Sequence, residues 1–155
     1  MLEQIFTIKE LRERKAAGKV TECRHALKQH EQALQDAKQK LNEYIQWRSQ
    51  EESRQFKSLM GQVSTYRKLE LINQDISHLR LKDGDYQEAI LKAEAALQQV
   101  QQALEQAQLA HVLAQRAVEK FHELRTQAQE KIAKEQQRKE ELELEEFTKP
   151  QQSIA

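Results

Sequence analysis

The sequence has one cysteine, one proline and three glycines, and only 5% of its residues are aromatic. The lone Cys23 excludes an internal disulfide and fits a reducing compartment. Sandwiches, barrels and doubly wound sheets need a glycine- or proline-bearing turn about every ten residues, with many β-branched residues between. That supply is missing, so sheet folds are excluded. Neither charge sign dominates: 25 basic and 25 acidic side chains cancel. Nucleic-acid binders carry a basic excess, so no nucleic acid is expected as a partner. No run approaches the ~18 apolar residues needed to cross a bilayer. The opening Met1-Leu2-Glu3-Gln4-Ile5-Phe6 lacks a cationic region followed by an apolar run, so no secretory signal is expected. Cytoplasmic residence is the default expectation.

What the chain does contain is glutamine, alanine, leucine, glutamate, lysine and arginine, in a strongly periodic order. Apolar residues recur in three-four alternation as Leu69, Ile72, Ile76, Leu79, Tyr86, Ile90, Ala93, Leu97, Val100, Leu104 and Ala107. The register continues through Ala114, Val118, Phe121 and Ala128 to Ile132, interrupted only by Asp83, His111 and Arg125. A heptad stripe held for roughly nine repeats predicts one continuous coiled-coil helix. A second stripe runs through Val20, Cys23, Leu27, His30, Leu34, Ala37, Leu41 and Tyr44. Upstream, Leu2, Ile5, Ile8 and Leu11 step by three; downstream, Phe56, Leu59, Val63 and Tyr66 suggest a shifted register.

Two segments compete for the turn. Asp83-Gly84-Asp85 has turn composition, but the heptad phase passes through it unbroken. Gly61-Gln62-Val63-Ser64-Thr65 separates two different registers and offers both a C-cap glycine and N-cap hydroxyls. The expected fold is therefore all-α: a long antiparallel two-helix coiled-coil hairpin with an overhanging C-terminal helix end. Residues 1–61 form helix one, 61–65 the turn, 66–147 helix two, and 148–155 a disordered tail. With this turn, residue i faces about residue 126 − i, so Leu41 lies near Tyr86 and Ile5 near Phe121. The chain is expected to be a monomer; a generic structural coiled coil that dimerises through its long second helix is the competing reading.

Nothing in the sequence points to catalysis. The five histidines show no metal-ligand spacing with Cys, His or carboxylate partners. Three isolated glycines cannot build a phosphate loop. A two-helix rod encloses no pocket to shift a carboxyl pKa. No enzyme activity, cofactor or metal is expected. Three features stand out as partner-binding candidates. In Tyr44–Phe56, Trp47, Glu51 and Arg54 share a helical side, while Arg48 and Glu52 are spaced for an i,i+4 pair. Trp47 either covers the seam, packing over Gly84, or joins arginine in a binding hot spot. Near the N-terminus, Ile5, Phe6, Ile8 and Leu11 stand beside Arg12; Ile5, Phe6 and Ile8 are more than one hairpin face can bury, and either pack on the second helix or dock elsewhere. The acidic run Glu140–Phe147, past the end of the hairpin, is either a solvated, fraying end or a segment whose Leu142, Leu144 and Phe147 a partner covers.

The pattern Tyr44-x-x-Trp47-Arg48-x-x-Glu51-Glu52-x-Arg54-x-Phe56, with the closing Glu145-Glu146-Phe147, resembles the YscO (SctO) family of type III secretion proteins. The helical layout is similar over nearly the whole chain; the residue pattern covers those two segments. The resemblance implies a cytoplasmic hairpin, similar to the flagellar protein FliJ and to the central stalk of rotary ATPases. It implies partners as well: the hexameric type III export ATPase, the export gate protein and chaperones of secreted translocators. By that analogy the end bearing both termini enters the ATPase ring, and the Trp47 segment faces another partner.

Overall fold

The computed structural model describes residues 1–60 and 66–152, with side chains up to Thr148. Helix α1 spans Leu2–Met60 and helix α2 spans Tyr66–Gln152. No strand occurs among the described residues. The composition explains the helices: long runs of residues with high helix propensity, and no cluster of β-branched side chains to oppose them. Glu3 in the first turn of α1 and Lys57 in its last complement the helix dipole. The expected turn at 61–65 lies outside the described residues. The helix expected to end at Phe147 continues to Gln152. Pro150 lies within this last stretch, where it has no N–H to donate to the carbonyl of Glu146.

The chain forms two compact units, one of Met1–Lys19 with Gln108–Ala155 and one of Val20–Ala107. In each, part of α1 lies antiparallel against part of α2, the pairing of an antiparallel two-helix coiled-coil hairpin. In the second unit Val20, Cys23 and Ala107 form a buried cluster, with Leu104 packed against it. Ile76 is buried further along α2. In the first unit Phe6 stacks on Phe121 at 6.1 Å between ring centroids, and Glu13 lies 2.8 Å from His111. Both pairs sit close to the expected 126 − i pairing. No described side chain is fully buried, because each helix of a pair covers only one stripe of the other.

Every seam position expected on α2 from Ile72 to Ala128, polar intruders included, is buried or half-buried. The α1 stripe from Val20 to Tyr44 is likewise covered. Two expectations fail on α1. Beyond Tyr44 the register does not shift to Phe56 and Tyr66, which are exposed. It continues unbroken through Arg48, Glu51, Glu52, Gln55 and Leu59, all half-buried. Upstream, Leu2, Ile5, Ile8 and Leu11 are exposed, and the half-buried positions are Phe6, Lys9, Glu10, Glu13, Ala16 and Ala17. In both stretches the seam carries polar side chains, so apolar spacing alone follows the wrong face.

Gly84 is a helical residue of α2, and a Cβ built there would touch nothing within 4 Å. Trp47 therefore does not pack over it. Since alanine is favoured over glycine inside a helix by about 0.8–1.0 kcal/mol, Gly84→Ala should stabilise the protein by about that amount. Chemical denaturation should show a higher midpoint with an unchanged slope; a destabilised variant would mean that Asp83-Gly84-Asp85 is not helical in solution.

Candidate partner-binding surfaces

Tyr44, Arg48 and Glu52 recur every four residues, which aligns them along one side of α1 facing Ile76–Tyr86 of α2. The Tyr44 hydroxyl donates to the Leu79 carbonyl at 2.6 Å, and its ring stacks on Tyr86 at 4.8 Å. Arg48 grips Asp83 with two nitrogens, Nε at 3.1 Å and Nη2 at 3.0 Å. Its Nη1 donates to Glu52 at 2.9 Å. Arg80 returns from α2 to the same Glu52 oxygen at 3.1 Å. Two cations and two carboxylates thus alternate across the helix pair.

The side chains of Arg48, Glu52 and Asp83 are only 15%, 14% and 20% exposed. At that burial an ion pair is less screened than one on an open surface, and losing one member strands a charge. The network's electrostatics agree. The hydrogen bond from Arg80, seconded by Arg48, holds the Glu52 carboxyl below its ordinary 4.5 although burial opposes this. The hydrogen bond to Glu52 holds Arg48 more firmly in its charged form, with Asp83 adding to the effect. Burial, then the negative charge of Asp83, pushes the Tyr44 hydroxyl above its ordinary 10.0.

The aromatic-basic segment therefore divides by side. Arg48 and Glu52 are committed to the seam. Trp47 is 50% exposed and leans on Tyr44 at 5.8 Å. Glu51 and Arg54 form a bidentate pair along α1 at 2.6 and 3.1 Å, with the arginine facing water. That bond lowers the Glu51 carboxyl pKa and raises that of Arg54. Phe56 is also exposed, but its heptad position places it on the opposite flank from Trp47 and Arg54.

In the first unit Phe6 is drawn into the seam. Arg125 lies over its ring at 4.4 Å, and Lys9 lies 5.9 Å from the Phe121 ring centre. Arg125 also reaches Glu3 at 3.4 Å. Ile5, Ile8, Leu11 and Arg12 stay exposed, as do Leu113 and Leu124 of α2 in the same unit. Sequence reasoning missed Asp83 and Arg80 as partners of Arg48 and Glu52, and Glu13 as the partner of His111. Asp83, His111 and Arg125 did carry a signal, as polar interruptions of an otherwise apolar stripe. Among the described residues no group of three or more His, Cys, Asp or Glu side chains is placed to hold a metal ion. No described helix is long and apolar enough to cross a membrane.

Two antiparallel helices, an ion-paired seam and outward-turned apolar side chains define an all-helical coiled-coil hairpin. The comparisons with known proteins make this specific. The family model described as type III secretion protein YscO matches residues 2–150, and the chain belongs to that family. It is similar to the type III secretion protein YscO from Vibrio parahaemolyticus, known from a 2.8 Å crystal structure, with 30% identity and a TM-score of 0.84. The match covers 95% of this chain and 92% of that one. The comparison with curated proteins finds no match.

Breaking the network from one side should be costly. Asp83→Ala removes the partner of two of the three Arg48 contacts and should destabilise the protein by about 2 kcal/mol, with strong coupling to Arg48→Ala in a double-mutant cycle. Glu52→Gln should cost about 1–2 kcal/mol at neutral pH. Because the folded Glu52 pKa is depressed below 4.5, its contribution is present above that value and lost as pH falls through the folded pKa. The stability gap between wild type and Glu52→Gln, measured by urea denaturation, should be constant near neutrality and close below about pH 4.5. A gap independent of pH throughout would contradict the assignment.

Proposed function

We propose that the protein is a non-enzymatic stalk of the type III export apparatus, located at its cytoplasmic face. It engages the hexameric export ATPase with the end that bears the start of α1. Family membership supplies the secretion context. The observation that carries the reading is the unused outer surface of the first unit: Ile5, Ile8 and Leu11 exposed beside Arg12. Exposed apolar side chains with adjacent basic ones favour contact with another protein. An asymmetric helix pair held inside a ring contacts the subunits unequally, and unequal contact is what biases one subunit conformation over another.

The test is titration of the purified protein onto the export ATPase, reading turnover and hexamer content together. Wild type should raise one or both. Ile8→Asp and Leu11→Asp, which leave the seam intact, should weaken the effect on the order of tenfold. No response to wild type would contradict the stalk reading.

A second reading rests on Trp47 and Arg54, a half-exposed indole with an exposed guanidinium one helical face along. This pair suits capture of a translocator chaperone, with Trp and Arg as the anchoring types. Pull-down of such chaperones should fall with Trp47→Ala or Arg54→Ala while the fold is retained. Unaltered capture would discard this surface; the export gate protein would then be tested against it.

A further inference from the structure

From Gln129 to Thr148 every residue of α2 is exposed, because α1 begins too late to cover it. The seam does not stop with the cover. The three-four alternation that brings Arg125 and Ala128 inward continues through Ile132, Glu135, Lys139, Leu142 and Glu146. Ile132 is 63% and Leu142 55% exposed, although both stand on the side that is covered from Ile72 to Ala128, as exposed Leu69 does at the other end of the stripe. An isolated helix with an uncovered stripe is marginal in water. This stripe has a pattern that identifies its complement.

We propose that the overhang pairs with the overhang of a second copy, antiparallel and related by a two-fold axis near Gln137. When Ile132 is set opposite Leu142 of the second copy, Glu135 falls opposite Lys139 of the second copy, and Glu146 falls opposite Ala128 at the margin of the contact. Each match occurs twice by symmetry, as an isologous contact requires. On the flank Lys131 faces Glu145 of the second copy, and Arg138 meets its own counterpart with Glu135 and Glu141 one turn away on either side. In this register Phe147 of the second copy lies opposite Gln127, beside exposed Met1 and Leu2 at the start of α1, so the last turn of the incoming helix, which runs to Gln152, must leave the seam where α1 begins.

The contact is small, with two apolar layers and two ion-paired layers, so it belongs to the weak, concentration-dependent class. It uses the inner side of the overhang, whereas the stalk reading uses the outer side of α1. The two stand or fall separately.

Sedimentation equilibrium of the full chain across micromolar to near-millimolar concentration tests the pairing. Wild type should show a monomer–dimer equilibrium. Lys139→Glu places like charges opposite each other twice and should weaken dimerisation on the order of tenfold. Glu135→Lys combined with Lys139→Glu should restore it. All substituted positions are exposed and lie beyond the covered seam, so the hairpin itself is left intact. In a Cys23→Ser background, Ile132→Cys with Leu142→Cys should give an intermolecular disulfide under mild oxidation. A strictly monomeric wild type would overturn the proposal, as would a dimer indifferent to Lys139→Glu or one that the charge swap fails to restore.

Discussion

The alternating ladder of Arg48, Asp83, Glu52 and Arg80 is the constraint on which the rest of the second unit depends. Two helices faced with leucine and alanine bind each other, but such faces fit nearly as well when slipped by a heptad, about 10 Å along the axis. Directional partners remove that freedom. A one-heptad slip would leave Arg48 without Asp83, and both side chains are largely shielded from water. A partly buried unpaired charge costs several kcal/mol, more than a slipped apolar layer would recover. The Tyr44 hydroxyl on the Leu79 carbonyl adds a second directional contact on the adjoining turn.

The first unit uses the same device with other residues. Glu13 with His111 and Glu3 with Arg125 set polar contacts between stacked Phe6 and Phe121 and the neighbouring alanines. All three polar interruptions of the α2 stripe, Asp83, His111 and Arg125, thus meet a carboxylate or guanidinium of α1. Stability from area is modest, since no described side chain is wholly removed from solvent. Specificity of register comes instead from placing charge where an aliphatic residue would bind more strongly but less selectively.

This division of labour explains what the sequence does and does not disclose. The stripe on α2 from Ile72 to Ala128 is legible because apolar residues dominate it and the polar exceptions keep phase. The stripe on α1 is legible only from Val20 to Tyr44. Outside that span the true seam runs through Lys9, Glu13, Arg48, Glu52 and Gln55, which hydropathy counts as surface. Meanwhile Ile5, Ile8, Leu11 and Phe56 look like core and face outward. Of the candidate site residues, Arg48, Glu52 and Phe6 prove to be packing partners within the chain. Glu51 is half-buried and paired with Arg54, while Trp47, Arg54, Phe56, Ile5, Ile8, Leu11 and Arg12 are exposed. A residue's type announces its chemistry, but its partner on the other helix decides whether that chemistry is available to anything else.

Ionic contacts hold α1 and α2 in one register. Disulfide trapping tests it most directly, in a Cys23→Ser background, because a disulfide requires Cα atoms within about 7 Å. Leu34→Cys with Ala93→Cys should close readily within one chain, whereas Leu34→Cys with Val100→Cys, one heptad away, should not. Adding Arg48→Leu with Asp83→Leu should let the slipped pair form. Equal trapping of both pairs while the ladder is intact would contradict the account.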